Sequence, residues 1–176
     1  MSEAGRVDGP DPDASSREAL ARVAAPETGG QREGAAPDLA EFLVCELDGS
    51  AYAIAIERVR EIVRMRPLTP LPRTPEWMLG VISLRGEIVQ VVDLRMCLGV
   101  DRAEIGRATR IVVLHGDDRI SGVLVDGVRR VLRIPAQEIR PATSAGLHAV
   151  SEVCRDGDGF VSILDLDRVW DDHAGS

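Results

Sequence analysis

Two stretches of the chain carry the same pattern: residues 42–64 are FLVCELDGSAYAIAIERVREIVR, and residues 111–133 are IVVLHGDDRISGVLVDGVRRVLR. A shift of 69 residues overlays them without a gap, and apolar positions fall on apolar positions along most of their length. Further on, the DL pair of VVDLR (93–94) matches the DL pair of ILDLD (165–166) at a slightly larger offset. Internal similarity of this kind is typical of duplicated structural units. The sequence therefore predicts two copies of one unit, near residues 42–98 and 111–170.

The first unit has the pattern of short β-strands joined by turns. Residues Phe42–Leu47 are mostly apolar, and the DGS sequence at 48–50 is a turn signal. Large and small residues then alternate over 51–56, which predicts a strand with both faces covered. The apolar spacing from Ile56 to Val63 fits either a short helix or a strand with a bulge. Four prolines between residues 67 and 75 interrupt regular structure.

Hairpins and short helices are predicted for the rest of both units. The GVISLRG stretch at 80–86 has no clear copy in the second unit, so Arg85 is not expected to be a general feature of the repeat. Short strands with closely spaced turns predict an all-β fold of two small barrels. The predicted elements are a hairpin of Gly80–Leu84 and Glu87–Val92 around Arg85-Gly86, a helix over Asp93–Leu98 with Asp93 as N-cap, a loop over Pro141–Ala149, a hairpin of Val150–Cys154 and Phe160–Leu164, and a last helix over Leu166–Trp170.

The composition separates a tail from a globular part and excludes several functions. Residues 1–38 are rich in Ala, Gly, Pro, Asp and Glu, so we expect a disordered acidic tail before a domain spanning 39–176. A net charge of −8 and an aromatic content of 3% argue against nucleic acid as a partner. No stretch approaches the roughly 18 apolar residues of a membrane span, which predicts no direct membrane insertion. Three widely spaced cysteines without a leader sequence predict a reduced, cytoplasmic protein.

No arrangement of residues predicts catalysis, a metal or a cofactor. All 21 basic residues are arginine, which removes every reaction that needs a lysine amine. The three histidines have no Cys, Asp or Glu at metal-ligand spacing. Cys45 shares a strand face with Leu43 and Leu47 and is expected in the core. Two alternatives stay open: an enzyme that uses Cys45 with His115, and a stand-alone small barrel that binds a small ligand or a peptide.

Partner contact is the remaining function, and two segments suit it. Val59, Glu61 and Ile62 form a mixed apolar and charged segment after the second predicted strand. Arg85 lies in a turn beside Gly86, and its planar guanidinium can bind a carboxylate or backbone carbonyl groups of a partner.

Taken together, the motifs resemble the CheW family of bacterial chemotaxis coupling proteins, over most of the chain. Each motif alone is weak, but their order and spacing are specific. The carrying sequences are FLV (42–44), YAI (52–54), VREI (59–62), PLPRTPEWMLGVISLRG (70–86), IVQVVDLR (88–95), GVLVDGVRRVL (122–132), IRPAT (139–143) and SILDLDRV (162–169).

The resemblance implies a fold of two five-stranded SH3-like barrels packed together, with short helices. It also implies a non-catalytic adaptor that couples methyl-accepting chemoreceptors to a CheA-type histidine kinase in membrane receptor arrays. It places Val59 and Glu61, with neighbouring Ile62, against the regulatory domain of the kinase. It places Arg85 with Gly86, and Val128, at the cytoplasmic tip of the receptor. Family members also serve twitching and gliding pathways, so a scaffold of such a pathway is an alternative.

Overall fold

The structure is a computed structural model that describes residues 38–102, 104–116, 120–142 and 148–174. These residues form eleven strands, two α-helices and two short 3-10 turns. The strands are β1 Leu39–Leu47, β2 Ser50–Ala55, β3 Val59–Arg64, β4 Met78–Leu84, β5 Glu87–Asp93, β6 Arg110–Leu114, β7 Ser121–Val125, β8 Gly127–Pro135, β9 Arg140–Pro141, β10 Val150–Asp156 and β11 Gly159–Leu164. The helices are α1 Leu94–Cys97 and α2 Leu166–Ala174, and the 3-10 turns are Ile56–Arg58 and Ala136–Glu138.

Local sequence explains the first hairpin and the segment after it. Asp48 and Gly49 both have positive φ angles, 51° and 73°, which form the two-residue turn whose twist matches that of the paired strands. For the segment after β2 the sequence predicted either a short helix or a strand with a bulge. The structure has both, a 3-10 turn at Ile56–Arg58 followed by strand β3. β3 itself carries an irregularity between Val59 and Glu61 where it pairs with β6.

The predicted hairpins and helices are present, with one correction to a loop. Asp93 caps α1, since its Oδ1 accepts a hydrogen bond from the Arg95 N–H at 3.1 Å. Pro141 was expected to begin a loop, but it lies in the edge strand β9 and pairs with Glu152 of β10. Residues 143–147 of that predicted loop and residues 1–37 of the predicted tail lie outside the described residues.

Each of the two sheets curls into a barrel. The five-stranded sheet has the order β3-β6-β7-β5-β4, and Thr69, just beyond β3, forms an isolated bridge with Val81 of β4. The other sheet has the order β8-β1-β2-β11-β10-β9, and the two-residue β9 follows β8 directly to pair with β10. In both sheets, therefore, the chain beyond one edge strand bonds to the opposite edge. We call the barrel of β1, β2 and β8–β11 barrel 1, and the barrel of β3–β7 barrel 2.

The repeat units do not coincide with the barrels, because each unit gives its first hairpin to the other barrel. β1 and β2 of the first unit pair with β8 and β11 of the second, while β6 and β7 pair with β3 and β5. Replacing each strand by its repeat counterpart converts the order of barrel 2 into the first five strands of barrel 1. The β10–β11 hairpin thereby occupies the place of the GVISLRG hairpin. That stretch has a structural counterpart in the second unit even though its sequence has no copy there.

The apolar residues form three clusters, one inside each barrel and one between them. Both helices and the exchanged hairpins contribute to the cluster between the barrels, so the two barrels share one core. Its fully buried members include Cys45, Ile54, Leu94, Val112 and Val123. Phe42, Val44, Ala53, Leu132, Ile134, Cys154, Val161 and Ile163 fill barrel 1, and Ile82, Leu84, Val89, Val91, Ile111, Val113 and Leu124 fill barrel 2.

Candidate functional site

The turn between β4 and β5 presents Arg85 at the rim of barrel 2. Arg85 and Gly86 have φ angles of 53° and 87°, a two-residue hairpin turn in which glycine avoids the strain of positive φ. The Arg85 side chain is 74% exposed, and its Nη2 lies 3.3 Å from Oε2 of Glu61, whose side chain is 19% exposed. The structure thus joins in one ion pair two residues that sequence reasoning assigns to different partners.

The three residues predicted to bind a kinase differ in accessibility. Val59 packs, half-buried, against the shared core. Glu61 is engaged with Arg85, and neighbouring Arg60 lies 2.5 Å from Oε2 of Glu87, which ties β3 a second time to the turn region. Ile62 is 42% exposed, so it is the member of the set with most apolar surface available to a partner.

Ile88 adds apolar surface to the same rim and was missed by sequence reasoning. It is 65% exposed at the start of β5, next to Glu87 and across the turn from Arg85. The alternation in IVQVV contains the signal, because Val89 and Val91 are fully buried inside barrel 2 and Ile88 lies on the opposite face of the strand.

Val128 lies on barrel 1, not on the Glu61–Arg85 rim. It is the second residue of β8, pairs with Cys45 and packs, half-buried, against the shared core. Its position depends on Asp126, which precedes β8 at the crossover between the barrels. The Asp126 N–H donates to the Glu46 carbonyl at 3.0 Å, and its Oδ2 accepts from the Asp48 N–H at 2.8 Å.

Arg95 completes this junction from helix α1. Its Nε donates to Oδ1 of Asp126 at 2.8 Å, a second guanidinium nitrogen bonds Oδ2, and a third lies 3.5 Å from Asp48. Burial pushes the pKa of the Asp126 carboxyl upward, but the hydrogen bonds from Arg95 and the Asp48 N–H outweigh it and leave that pKa below its ordinary value. The junction therefore holds the β1–β2 turn, α1 and the start of β8 together.

Barrel 1 has its own rim in the position equivalent to the Glu61–Arg85 rim. Arg130 of β8, the repeat counterpart of Glu61, bonds Asp156 at the end of β10. Val131 and Phe160, the counterparts of Ile62 and Ile88, are also exposed, Phe160 at 69%. The repeat alignment could have found Val131, but Phe160 lies in a hairpin whose sequence similarity is too weak to align.

The structure places the two residues of the enzyme alternative, Cys45 and His115, in different surroundings. Cys45 is fully buried, and burial raises the pKa of its thiol to about 12, so no thiolate forms at neutral pH. His115 is exposed, and its main-chain N–H donates to the Arg58 carbonyl. A cavity of about 10 Å³ beside Arg95 and Asp126 has room for about one water molecule.

Within the described ranges, no group of three or more His, Cys, Asp or Glu side chains is placed to hold a metal ion. Neither α1 nor α2 is long and apolar enough to cross a bilayer.

The chain is similar to known proteins over most of its length. Residues 41–174 match the family of CheW-like domains. Chemotaxis protein CheW of Klebsiella aerogenes is 32% identical over 133 residues, covering 73% of this chain and 80% of that protein. Protein FrzA of Myxococcus xanthus is 37% identical over 106 residues, covering 60% of this chain and 66% of FrzA. The crystal structure of scaffolding protein TtCheW from Thermoanaerobacter tengcongensis matches with a TM-score of 0.69 and 26% identity, covering 79% of this chain and 91% of TtCheW.

These similarities extend over both barrels. The family match includes the Glu61–Arg85 rim, the Arg95–Asp126 junction and the Arg130–Asp156 rim. The fold predicted from the sequence, two small β-barrels with short helices, is confirmed by the strand topology and by the TtCheW match. The chain therefore belongs to the CheW-like family of chemotaxis scaffold proteins.

Proposed function

We propose that this protein is a non-catalytic scaffold that couples chemoreceptors to a CheA-type histidine kinase. Family membership supports a scaffold role in chemotaxis. The observation that carries the finer proposal is the Glu61–Arg85 ion pair, because it makes one continuous surface of two segments that the family resemblance assigns to two partners.

The kinase-facing part of this surface is the β3 segment of Val59, Glu61 and Ile62, which contacts the regulatory domain of the kinase. The receptor-facing part consists of Arg85 and Gly86 of the turn. Val128, which the resemblance also assigns to the receptor, lies apart from them on barrel 1. Exposed Arg85 suits a carboxylate or the carbonyl groups of a receptor tip, since guanidinium binds such groups through two parallel hydrogen bonds.

Coupling by this scaffold is a matter of assembly. A rigid body with two binding surfaces raises the effective concentration of kinase beside receptor without any new contact between them. The shared core makes the two barrels one body, so the surfaces keep a fixed spacing. A receptor state that binds this body more strongly than another state then shifts the kinase equilibrium by the difference in affinity.

The test is Arg85→Glu, measured for binding to a purified receptor cytoplasmic tip and to the kinase regulatory domain. We expect receptor affinity to fall at least about tenfold, because charge reversal both removes the donor and repels a partner carboxylate. The melting temperature should change by less than about 2 °C, because exposed ion pairs contribute little to stability. Loss of the fold in this variant would make Arg85 structural and contradict the assignment.

Arg73→Glu is the matched control. Arg73 is also an exposed arginine with positive φ, 59°, in a connection of barrel 2, and it makes no ion pair among the described residues. Its replacement changes the net charge and the turn strain in the same way as Arg85→Glu. Receptor binding should remain within about twofold of the unchanged protein.

The alternative pathway is tested by capture from the cytoplasm of the native cell. Recovery of a CheA-type kinase with chemoreceptors is expected. Recovery of receptors for pilus-driven or gliding motility instead would assign the same scaffold to that pathway.

A further inference from the structure

Two arginines face each other directly across neighbouring strands of barrel 2. Arg64, the last residue of β3, pairs in register with Arg110, the first residue of β6. Like charges directly opposite each other destabilise a sheet, while opposite charges stabilise it. Arg110 points its Nη1 at the carbonyl groups of Arg107 and Thr109, at 2.7 Å and 2.8 Å, and not at a carboxylate.

At the equivalent positions of barrel 1 the two facing residues have opposite charges. There Arg133 of β8, the repeat counterpart of Arg64, faces Glu41 of β1, the counterpart of Arg110. Their side chains form an ion pair, with Arg133 Nε 2.5 Å from Glu41 Oε1. The same pair of positions thus carries neutralised charge in one barrel and unneutralised positive charge in the other.

More arginines surround the like-charged pair. Arg66 is exposed two residues beyond Arg64, and Arg107 is exposed where its carbonyl accepts the Arg110 bond. Throughout the described ranges, none of these four arginines makes an ion pair. The patch of Arg64, Arg66, Arg107 and Arg110 is therefore basic within a chain whose net charge is −8.

The patch adjoins the apolar part of the candidate site. Ile62 precedes Arg64 by two residues on β3 and lies opposite Val112, just as Arg64 lies opposite Arg110. Side chains two residues apart on a strand share a face, so Ile62 and Arg64 face the same way. The exposed apolar surface at Ile62 is bordered by positive charge.

We propose that Arg64, Arg66, Arg107 and Arg110 extend the Ile62 surface and bind an acidic face of the partner protein that docks there, the kinase regulatory domain. This inference rests on the proposed function. Carboxylates of the partner would relieve the repulsion between Arg64 and Arg110 that the free protein leaves uncompensated. The Glu41–Arg133 pair beside Val131 is neutral and would not attract an acidic partner surface. The arginine patch therefore distinguishes the two equivalent rims, and the kinase domain binds at the rim of barrel 2.

The experiment measures kinase-domain affinity for the full chain against salt concentration. Arg64→Glu should weaken binding about tenfold and flatten the salt dependence, as expected when a rim charge is reversed. The same change should raise the melting temperature by about 2 °C, because it creates with Arg110 the cross-strand pair that barrel 1 has between Glu41 and Arg133. Arg66→Gln should weaken binding about threefold without the gain in stability. Arg73→Glu, with the same change in net charge, should leave affinity within about twofold.

The outcomes separate this inference from the proposal beneath it. If Ile62→Ala loses kinase binding while Arg64→Glu keeps both affinity and salt dependence, the coupling function stands and the arginine patch has no part in it. If the unchanged protein does not bind the kinase domain at all, the proposed function fails and the inference with it. If Arg64→Glu abolishes binding to vesicles of phosphatidylglycerol and phosphatidylcholine but not to the kinase, the patch serves a lipid surface, which also overturns the inference.

Discussion

The two rims of the molecule occupy equivalent places but carry opposite charge patterns. At barrel 2 the strand supplies the acid, Glu61, and the turn region supplies the base, Arg85. At barrel 1 the strand supplies the base, Arg130, and the hairpin supplies the acid, Asp156. Each pair links one edge of its barrel to the hairpin at the other edge. The fold therefore accepts an ion pair of either polarity at this place, which leaves the polarity available for partner choice.

The helices show the same reversal at the crossovers between the barrels. Arg95, the second residue of α1, holds Asp126. Asp167, the second residue of α2, holds Arg58 with its Oδ1 2.8 Å from the Arg58 Nη2. The two junctions differ in burial, because the Arg95 side chain is 12% exposed and that of Asp167 is 67% exposed. We therefore expect the Arg95–Asp126 junction to stabilise the protein more than the Arg58–Asp167 junction, although the two barrels have the same topology.

The largest effect is expected in the core that both barrels share. Ile54 is fully buried there, so Ile54→Ala should lower the free energy of unfolding by about 3 kcal/mol through lost burial and the cavity left behind. Urea unfolding followed by fluorescence and by circular dichroism should give one coincident transition. Two separate transitions would show that the barrels unfold independently and would contradict a shared core. Exposed Ile88→Ala, as the control, should change stability by less than about 0.5 kcal/mol.

An intermediate effect is expected at the better-buried junction. Asp126→Asn removes the closer of the two carboxylates beside Arg95, the other being Asp48, and should lower stability at pH 7 by about 1–2 kcal/mol. Because the pKa of Asp126 is held below its ordinary value, its contribution is complete at neutral pH and is lost as the pH falls through the lowered pKa. The difference between variant and unchanged protein, measured by urea unfolding from pH 7 to pH 3, should therefore shrink in acid. A difference that stays constant with pH would contradict the role of the charge.

The exposed junction supplies the comparison for that experiment. Asp167→Asn removes the corresponding pair of α2, and it should change stability by less than about 0.5 kcal/mol because Asp167 is largely in solvent. An equal loss in both variants would mean that burial does not distinguish the junctions.

The smallest effect on stability is expected at the rims. Arg85→Gln and Arg130→Gln should each cost less than about 0.5 kcal/mol, since both pairs are exposed. Their effects on binding should differ, with receptor affinity reduced by Arg85→Gln and unchanged by Arg130→Gln. Equal effects on receptor binding, measured by calorimetry, would remove the distinction between the two rims.

Local patterns in the sequence predicted most of the elements but not which strands share a barrel. The DGS turn and the Asp93 cap depend on residues close together in the chain, so the residue types alone predict them. The exchange of hairpins depends on pairings such as β5 with β7 and β11 with β2, whose partners are far apart in the chain. A repeat in sequence predicts that two units exist, but it does not predict whether each closes on itself.

The candidate site was predictable to the same extent. Arg85 stood out because a positive-φ turn beside glycine exposes its side chain, and the structure places it so. Its contact with Glu61 was not predictable, since the two residues meet only when the edges of barrel 2 come together. The opposition of Arg64 and Arg110 likewise depends on the register of β3 against β6.

The exchanged hairpins also determine the order in which the chain can be completed during synthesis. All strands of barrel 2 lie between Val59 and Val125, whereas barrel 1 begins at Leu39 and receives its last strand at Leu164. Barrel 2 is therefore a continuous insertion within barrel 1, and it can close while the remainder of barrel 1 is still on the ribosome. β1 gains its second partner only when β8 is made, from Gly127 onward, and β2 gains β11 only from Gly159 onward. The growing chain must carry an unfinished apolar hairpin for more than a hundred residues, so the outer barrel is the part of the nascent protein that chaperones have most reason to shield.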